Sequence, residues 1–259
     1  MHRKPDLLEA RGPAPTQASG EKTFPIAPVA TFGLALFVAI LCGACSPSES
    51  KGPTAKPEAV EAADLKSLEA KAEGGDAVAQ HRLGVVYAKG QTVKQDYKQA
   101  AKWYRLAADQ GLGRAQSALG ELYETGQGVP QDDAEAAKWY RRAADQGDIP
   151  GQYSLAILYV LGKGVPQSQT EAFKWYQRAA EQGDSLSQYN LGVRYTIGQG
   201  VTADPVEAFK WLSLAAAQGL PDADKARSEL KSKMTGDQVA EGKRRIAAFV
   251  VKQGSPTVR

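Results

Sequence analysis

Cysteine is nearly absent from this chain of 259 residues: Cys42 and Cys45 are the only two, and both lie near the N-terminus. Everything after them is built without disulfides, and no thiol is available there as a nucleophile. Histidine is equally scarce, with His2 and His81 alone. A Ser-His-Asp triad could draw only on His81, and a histidine-based metal site would need a second ring. A large charge of one sign is also missing. The 32 Lys and Arg face 29 Asp and Glu, a formal net charge of +3. That surplus is too small and too dispersed for nucleic-acid binding. The pairs Gly126/Gly128 and Gly198/Gly200 lack the strand and third glycine of a dinucleotide loop. No cofactor is expected.

What is present begins with a leader. Arg3, Lys4, Arg11 and Lys22 precede an apolar run, residues 26–44, which ends in small residues. A basic region, an apolar segment and small residues describe a secretory signal. The end of the run, Gly43-Ala44-Cys45-Ser46, resembles a bacterial lipobox. That resemblance implies lipid attachment at Cys45, and Ser46 after it implies sorting to the outer membrane. The alternative is an uncleaved inner-membrane signal anchor, since the run is about the ~20 residues that span a bilayer. Either reading expects an exported protein, periplasmic and held at a membrane. Residues 46–57, rich in Ser, Pro, Lys and Glu, read as a flexible tether.

The rest is organised by one period. Trp103, Trp139, Trp175 and Trp211 are the only tryptophans, each 36 residues from the next. Ala100, Ala136, Ala172 and Ala208 keep that spacing, as do Lys102, Lys138, Lys174 and Lys210. A fixed period of this size is the mark of stacked repeats. Four units follow at 76–111, 112–147, 148–183 and 184–219. Each opens with a short helix containing Gln-x-x-Leu, with a Tyr four residues after the Leu: Leu83/Tyr87, Leu119/Tyr123, Leu155/Tyr159 and Leu191/Tyr195. That spacing puts Leu and Tyr on one helix face. Gly90, Gly126, Gly162 and Gly198 end the first helices. Asp96-x-x-Gln99, Asp132-x-x-Glu135, Ser168-x-x-Glu171 and Asp204-x-x-Glu207 read as capping boxes opening the second. Residues 58–75 are expected to form an N-terminal capping helix. Residues 220–259 are expected to form two C-terminal capping helices, with Ile246, Ala247, Phe249 and Val250 over the open end of the stack. The fold class is all-α.

Leu-Gly-x-x-Tyr followed by Ala-Ala-Lys-Trp-Tyr-Arg-Arg-Ala-Ala-Asp-Gln-Gly, 136–147, resembles the Sel-one-like repeat family, relatives of the tetratricopeptide repeat. The resemblance covers 76–219 without a gap. It implies a right-handed α-solenoid and an adaptor role in which a concave groove holds other proteins. Some cysteine-rich members carry a disulfide in each repeat and are linked to penicillin binding or β-lactamase activity. No repeat here has a cysteine.

In such a solenoid the first helices line the groove, so recognition falls to the positions that differ between units. Unit one offers Val78, His81, Val85 and Lys89, and unit two Arg114, Ser117, Glu121 and Glu124. Units three and four offer Tyr153, Ile157, Val160, Leu161, Leu186, Tyr189, Val193 and Ile197, all apolar or aromatic. An exposed patch of this kind marks a binding site for a peptide or protein segment. The competing reading is that these side chains touch the next unit or the C-terminal helices. The functional expectation is a non-catalytic scaffold at the cell envelope. The alternative is an envelope enzyme acting on peptidoglycan or β-lactam substrates, for example through paired carboxylates such as Glu121 and Glu124, which fall one turn apart on a surface helix, the usual mark of a solvated face. A plain structural spacer is a third. The sequence leaves the oligomeric state open.

Overall fold

The structure, a computed structural model, describes residues 62–251. The chain divides into 1–56 and 57–259, and all described residues belong to the second unit. The leader, the tether and the proposed lipid attachment at Cys45 therefore lie outside the described residues. Among the described residues there are eleven helices and no strand, and no helix is long and apolar enough to cross a membrane.

The N-terminal cap is α1 (Ala62–Glu73). The four units follow as pairs: α2 (Ala77–Lys89) with α3 (Tyr97–Asp109), α4 (Gly113–Thr125) with α5 (Asp133–Asp145), α6 (Ile149–Leu161) with α7 (Gln169–Glu181), and α8 (Ser185–Ile197) with α9 (Pro205–Ala217). The C-terminal cap is α10 (Pro221–Lys231) and α11 (Gly236–Ala247). Each helix from α1 to α9 packs on the next, α4 also touches α6, and α9 carries both α10 and α11. This is an α-solenoid.

Local chemistry sets the boundaries. Gly90, Gly126, Gly162 and Gly198 each end a first helix in the left-handed conformation, where a Cβ would be strained. The second helices are capped by Asp96, Asp132, Ser168 and Asp204, whose side chains accept from the first free N–H groups. The reciprocal half of the expected capping boxes is replaced by another pairing. The N–H of each of these cap residues donates to the carbonyl of a first-helix tyrosine, Tyr87, Tyr123, Tyr159 or Tyr195, at 2.9–3.0 Å. With that donor taken, Glu135, Glu171 and Glu207 turn forward to Lys138, Lys174 and Lys210. Both halves of a capping box form at α11, between Thr235 and Gln238.

Two further devices repeat with the period. The first is a buried glutamine in each first helix: Gln80, Gln116, Gln152 and Gln188. Its amide donates to an alanine carbonyl at the end of the preceding second helix: Ala72, Ala108, Ala144 and Ala180, at 3.1–3.2 Å. Its oxygen accepts from the glutamine that caps its own second helix: Gln110, Gln146, Gln182 and Gln218, at 2.7–2.9 Å. One side chain thus ties three successive helices. The second device is a cation between rings. The Arg105 guanidinium lies 5.5 Å from the Tyr123 ring and 5.4 Å from Trp139 of the next unit, and it donates to the Tyr123 hydroxyl. Arg141 does the same between Tyr159, at 5.4 Å, and Trp175, at 5.1 Å. Each of these tryptophans also carries an arginine of its own helix, Arg142 at 4.5 Å and Arg178 at 4.4 Å.

At the C-terminal end Phe249 meets Trp211 edge-on at 5.3 Å, and Gly242 lets α11 come up against Phe209. Arg245 bonds Glu207 at 2.8 Å and Glu241 at 2.9 Å, which pins α11 to α9. Of the four residues expected over this end, Ile246 and Phe249 pack, while Ala247 and Val250 are exposed. They fall on the far side of α11 and beyond its end.

Candidate protein-binding face

The variable first-helix positions form columns 36 residues apart, and the columns differ in what they touch. One holds His81, Ser117, Tyr153 and Tyr189. His81 stacks on Tyr104 with ring centroids 5.6 Å apart. Burial pushes it down to about 4, helped by Arg114 and Arg82, so the ring is neutral near pH 7. Ser117 donates to Asp148, the cap of α6. The Tyr153 ring lies edge-on to Tyr176 at 5.8 Å, and its hydroxyl is bonded to Asn190 of the next unit. Tyr189 packs against the cluster of Phe209, Leu212 and Leu230. This column is the seam between units. Tyr153, 9% exposed, is thereby a joint residue and not an exposed anchor. Val193 packs on the same cluster as Tyr189, which also includes Met234, Val239 and Ile246 of the C-terminal segment.

The remaining candidates form a different surface. Ile157, Val160, Leu161 and Leu186 are half-buried, and Ile197 is 64% exposed. Beside them, on α4, stand Glu121 and Glu124, each 36 residues before Ile157 and Val160. Both carboxyls are half-buried. The Tyr140 hydroxyl, on a ring only 1% exposed, donates to Glu124 Oε2 at 2.8 Å. Gly120 makes this possible: a Cβ there would stand 2.9 Å from the Tyr140 ring. Burial raises the Glu124 carboxyl, opposed by that hydrogen bond and by Lys163. Burial and the Glu124 charge together push Glu121 up to about 7. Chemically, α4 offers a partly desolvated acidic pair that a cation would complement, next to an apolar strip on α6 and α8. Among the described residues no group of three or more His, Cys, Asp or Glu is placed to hold a metal.

Reading Glu121 and Glu124 as a solvated face missed their burial. The signal lay in the columns: Val85, Ile157 and Val193 flank Glu121 in register, as Ala88 and Val160 flank Glu124. A carboxylate flanked by apolar side chains one period away on either side inherits a dry environment.

The raised Glu121 carboxyl has a consequence for stability. The folded state holds a proton between the unfolded value of 4.5 and about 7 that the unfolded chain releases. Folding therefore loses free energy as pH rises through that window. Glu121→Gln should match the parent in denaturant at about pH 4 and exceed it by about 1–2 kcal/mol at about pH 8. Equal stability of the two at both pH values would refute the assignment.

Comparison with known proteins agrees with the 36-residue frame. A family model described as Sel1 repeat matches residues 77–112, 113–148, 149–184 and 185–220. A crystal structure of a Sel1 repeat protein from Oxalobacter formigenes is 31% identical, with a TM-score of 0.63, over 73% of this chain and 80% of that one. The structure of c5321, a protective antigen present in uropathogenic Escherichia coli strains and displaying an SLR fold, is 26% identical with a TM-score of 0.49. The match covers 72% of this chain and spans about half, 48%, of that one. No curated protein matches.

Proposed function

The chain belongs to the Sel1 repeat family, and we propose that it is a non-catalytic scaffold of the bacterial cell envelope that holds a protein segment along its first-helix face. Repeats of this family generally serve as protein-interaction scaffolds. The observation that carries the reading is the change of character along that face. Half-buried carboxyls in unit two give way to Ile157, Val160, Leu161, Leu186 and Ile197 in units three and four. A segment with a cationic side chain followed by apolar ones fits that order. Tyr153, Tyr189 and Val193 support the strip from behind and hold the units in register. Export, with lipid attachment at Cys45 and outer-membrane placement, rests on the leader sequence and is part of the same proposal.

The test is photo-crosslinking in the native envelope with p-benzoylphenylalanine at Ile197, against Lys138 on a second helix as control. Capture of one discrete protein from Ile197 and none from Lys138 supports the reading. Equal capture from both positions, or none from either, refutes it.

A further inference from the structure

The stack shows how it binds arginine, and at its N-terminal end it repeats the arginine site without the arginine. In units two and three a guanidinium from the preceding second helix lies between a first-helix tyrosine and a second-helix tryptophan. The equivalent rings of unit one are Tyr87 and Trp103. Both pack on Ala72, Ala79 and Leu83, so they keep the common frame. The residue 36 positions before Arg105 is Glu69 on α1, where no guanidinium is available. The residue 36 positions before Arg142 is Leu106, 48% exposed, so the cation from the same helix is missing as well. Trp139 and Trp175 are both 4% exposed, whereas Trp103 is only half-buried. Tyr87 and Trp103 line an open cleft of about 790 Å³. Among the described residues no cation lies over Trp103, and none donates to the Tyr87 hydroxyl. Unit four is completed differently, with Lys210 at 4.3 Å from the Trp211 ring and Phe249 edge-on to it.

We propose that this cleft is a second binding site, distinct from the first-helix face, which takes an arginine side chain from a partner protein. The guanidinium enters between the Tyr87 and Trp103 rings and donates to the Tyr87 hydroxyl, as Arg105 and Arg141 do within the chain. Stacking on both rings favours a planar cation over an ammonium. The rim adds a second requirement. Lys94 and Lys98 are exposed there, where units two and three have Pro130, Ala134, Pro166 and Thr170. Against the one carboxylate in the lining, Asp96, those two lysines leave the rim net positive, which opposes a bare cation and favours one with an acidic neighbour in the same segment.

The probe is acetyl-Gly-Arg-Glu-Gly-amide, titrated into the full chain labelled with 5-fluorotryptophan and followed by fluorine NMR. The Trp103 signal is identified by Trp103→Phe. A saturable shift of that signal alone, at least tenfold weaker with citrulline in place of arginine, supports the site. Glu69→Arg places the missing guanidinium in the slot from within and should abolish the shift while leaving the other three tryptophan signals in place. Should that variant disturb them, Tyr87→Phe decides: it removes the acceptor oxygen and should weaken binding roughly tenfold. No saturable shift at Trp103, equal binding of the citrulline peptide, or unchanged affinity in the deciding variant overturns the proposal.

Discussion

Gly164→Ala is expected to cost about 3–5 kcal/mol, roughly 10 °C or more in the thermal midpoint for an array of this size. Two effects add. Gly164 has φ +64°, a conformation that costs a residue with a Cβ about 1–2 kcal/mol. The new Cβ would also fall 2.0 Å from the Asp133 carbonyl oxygen, a backbone atom at the start of α5 that has no rotamer by which to retreat. The inter-helix loop of unit three therefore cannot seat on the second helix of unit two. Gly111→Ala isolates the first effect. That glycine has φ +91° and nothing within 4 Å of its added Cβ, so its cost should stay near 1–2 kcal/mol. Thermal denaturation followed by circular dichroism compares the two. Equal midpoints would mean that the loop contact does not hold the units together.

Gln152→Leu is the second large effect, about 2–4 kcal/mol in denaturant unfolding. The leucine fills similar space but leaves the Ala144 carbonyl and the Gln182 amide without the side chain that joined them. The Ala144 carbonyl keeps its bond from the Gly147 N–H at 3.0 Å, but at 1% exposure of the residue the lone pair that Gln152 used has no ready access to water. Gln182→Leu added to Gln152→Leu removes the stranded donor and should recover part of the loss. A double variant as unstable as the sum of the singles would show that the two glutamines act independently.

Much of this was legible in the sequence because it follows from position within the period. The glycines that end first helices and the Asp and Ser that open second ones repeat and fold as they repeat, and three of the four periodic tryptophans, Trp139, Trp175 and Trp211, are buried. What the sequence hid depends on what a neighbour brings. The capping boxes at Glu135, Glu171 and Glu207 are half-formed because a tyrosine carbonyl claims the cap N–H first. Nothing local to those residues announces it. Tyr153 read as a groove anchor, yet Tyr176 and Asn190 enclose it from two other helices. Glu121 and Glu124 read as solvated because charge was weighed alone, without the apolar register on either side.

The glutamine that ties three helices also bears on how such a chain can change length. Suppose residues 112–147 were excised. Gln152 would then find the Ala108 carbonyl in place of that of Ala144, and Arg105 would find Tyr159 and Trp175 in place of Tyr123 and Trp139. Both of these severed partnerships are remade with chemically identical groups, because donor and acceptor recur at one interval. Duplication or loss of a whole unit thus leaves both repeated devices intact at the junction, whereas a gain or loss of any other length strands the glutamines on both sides. Copy number is the one dimension in which this architecture is free to drift, and each added copy lengthens the face on offer by one pair of helices.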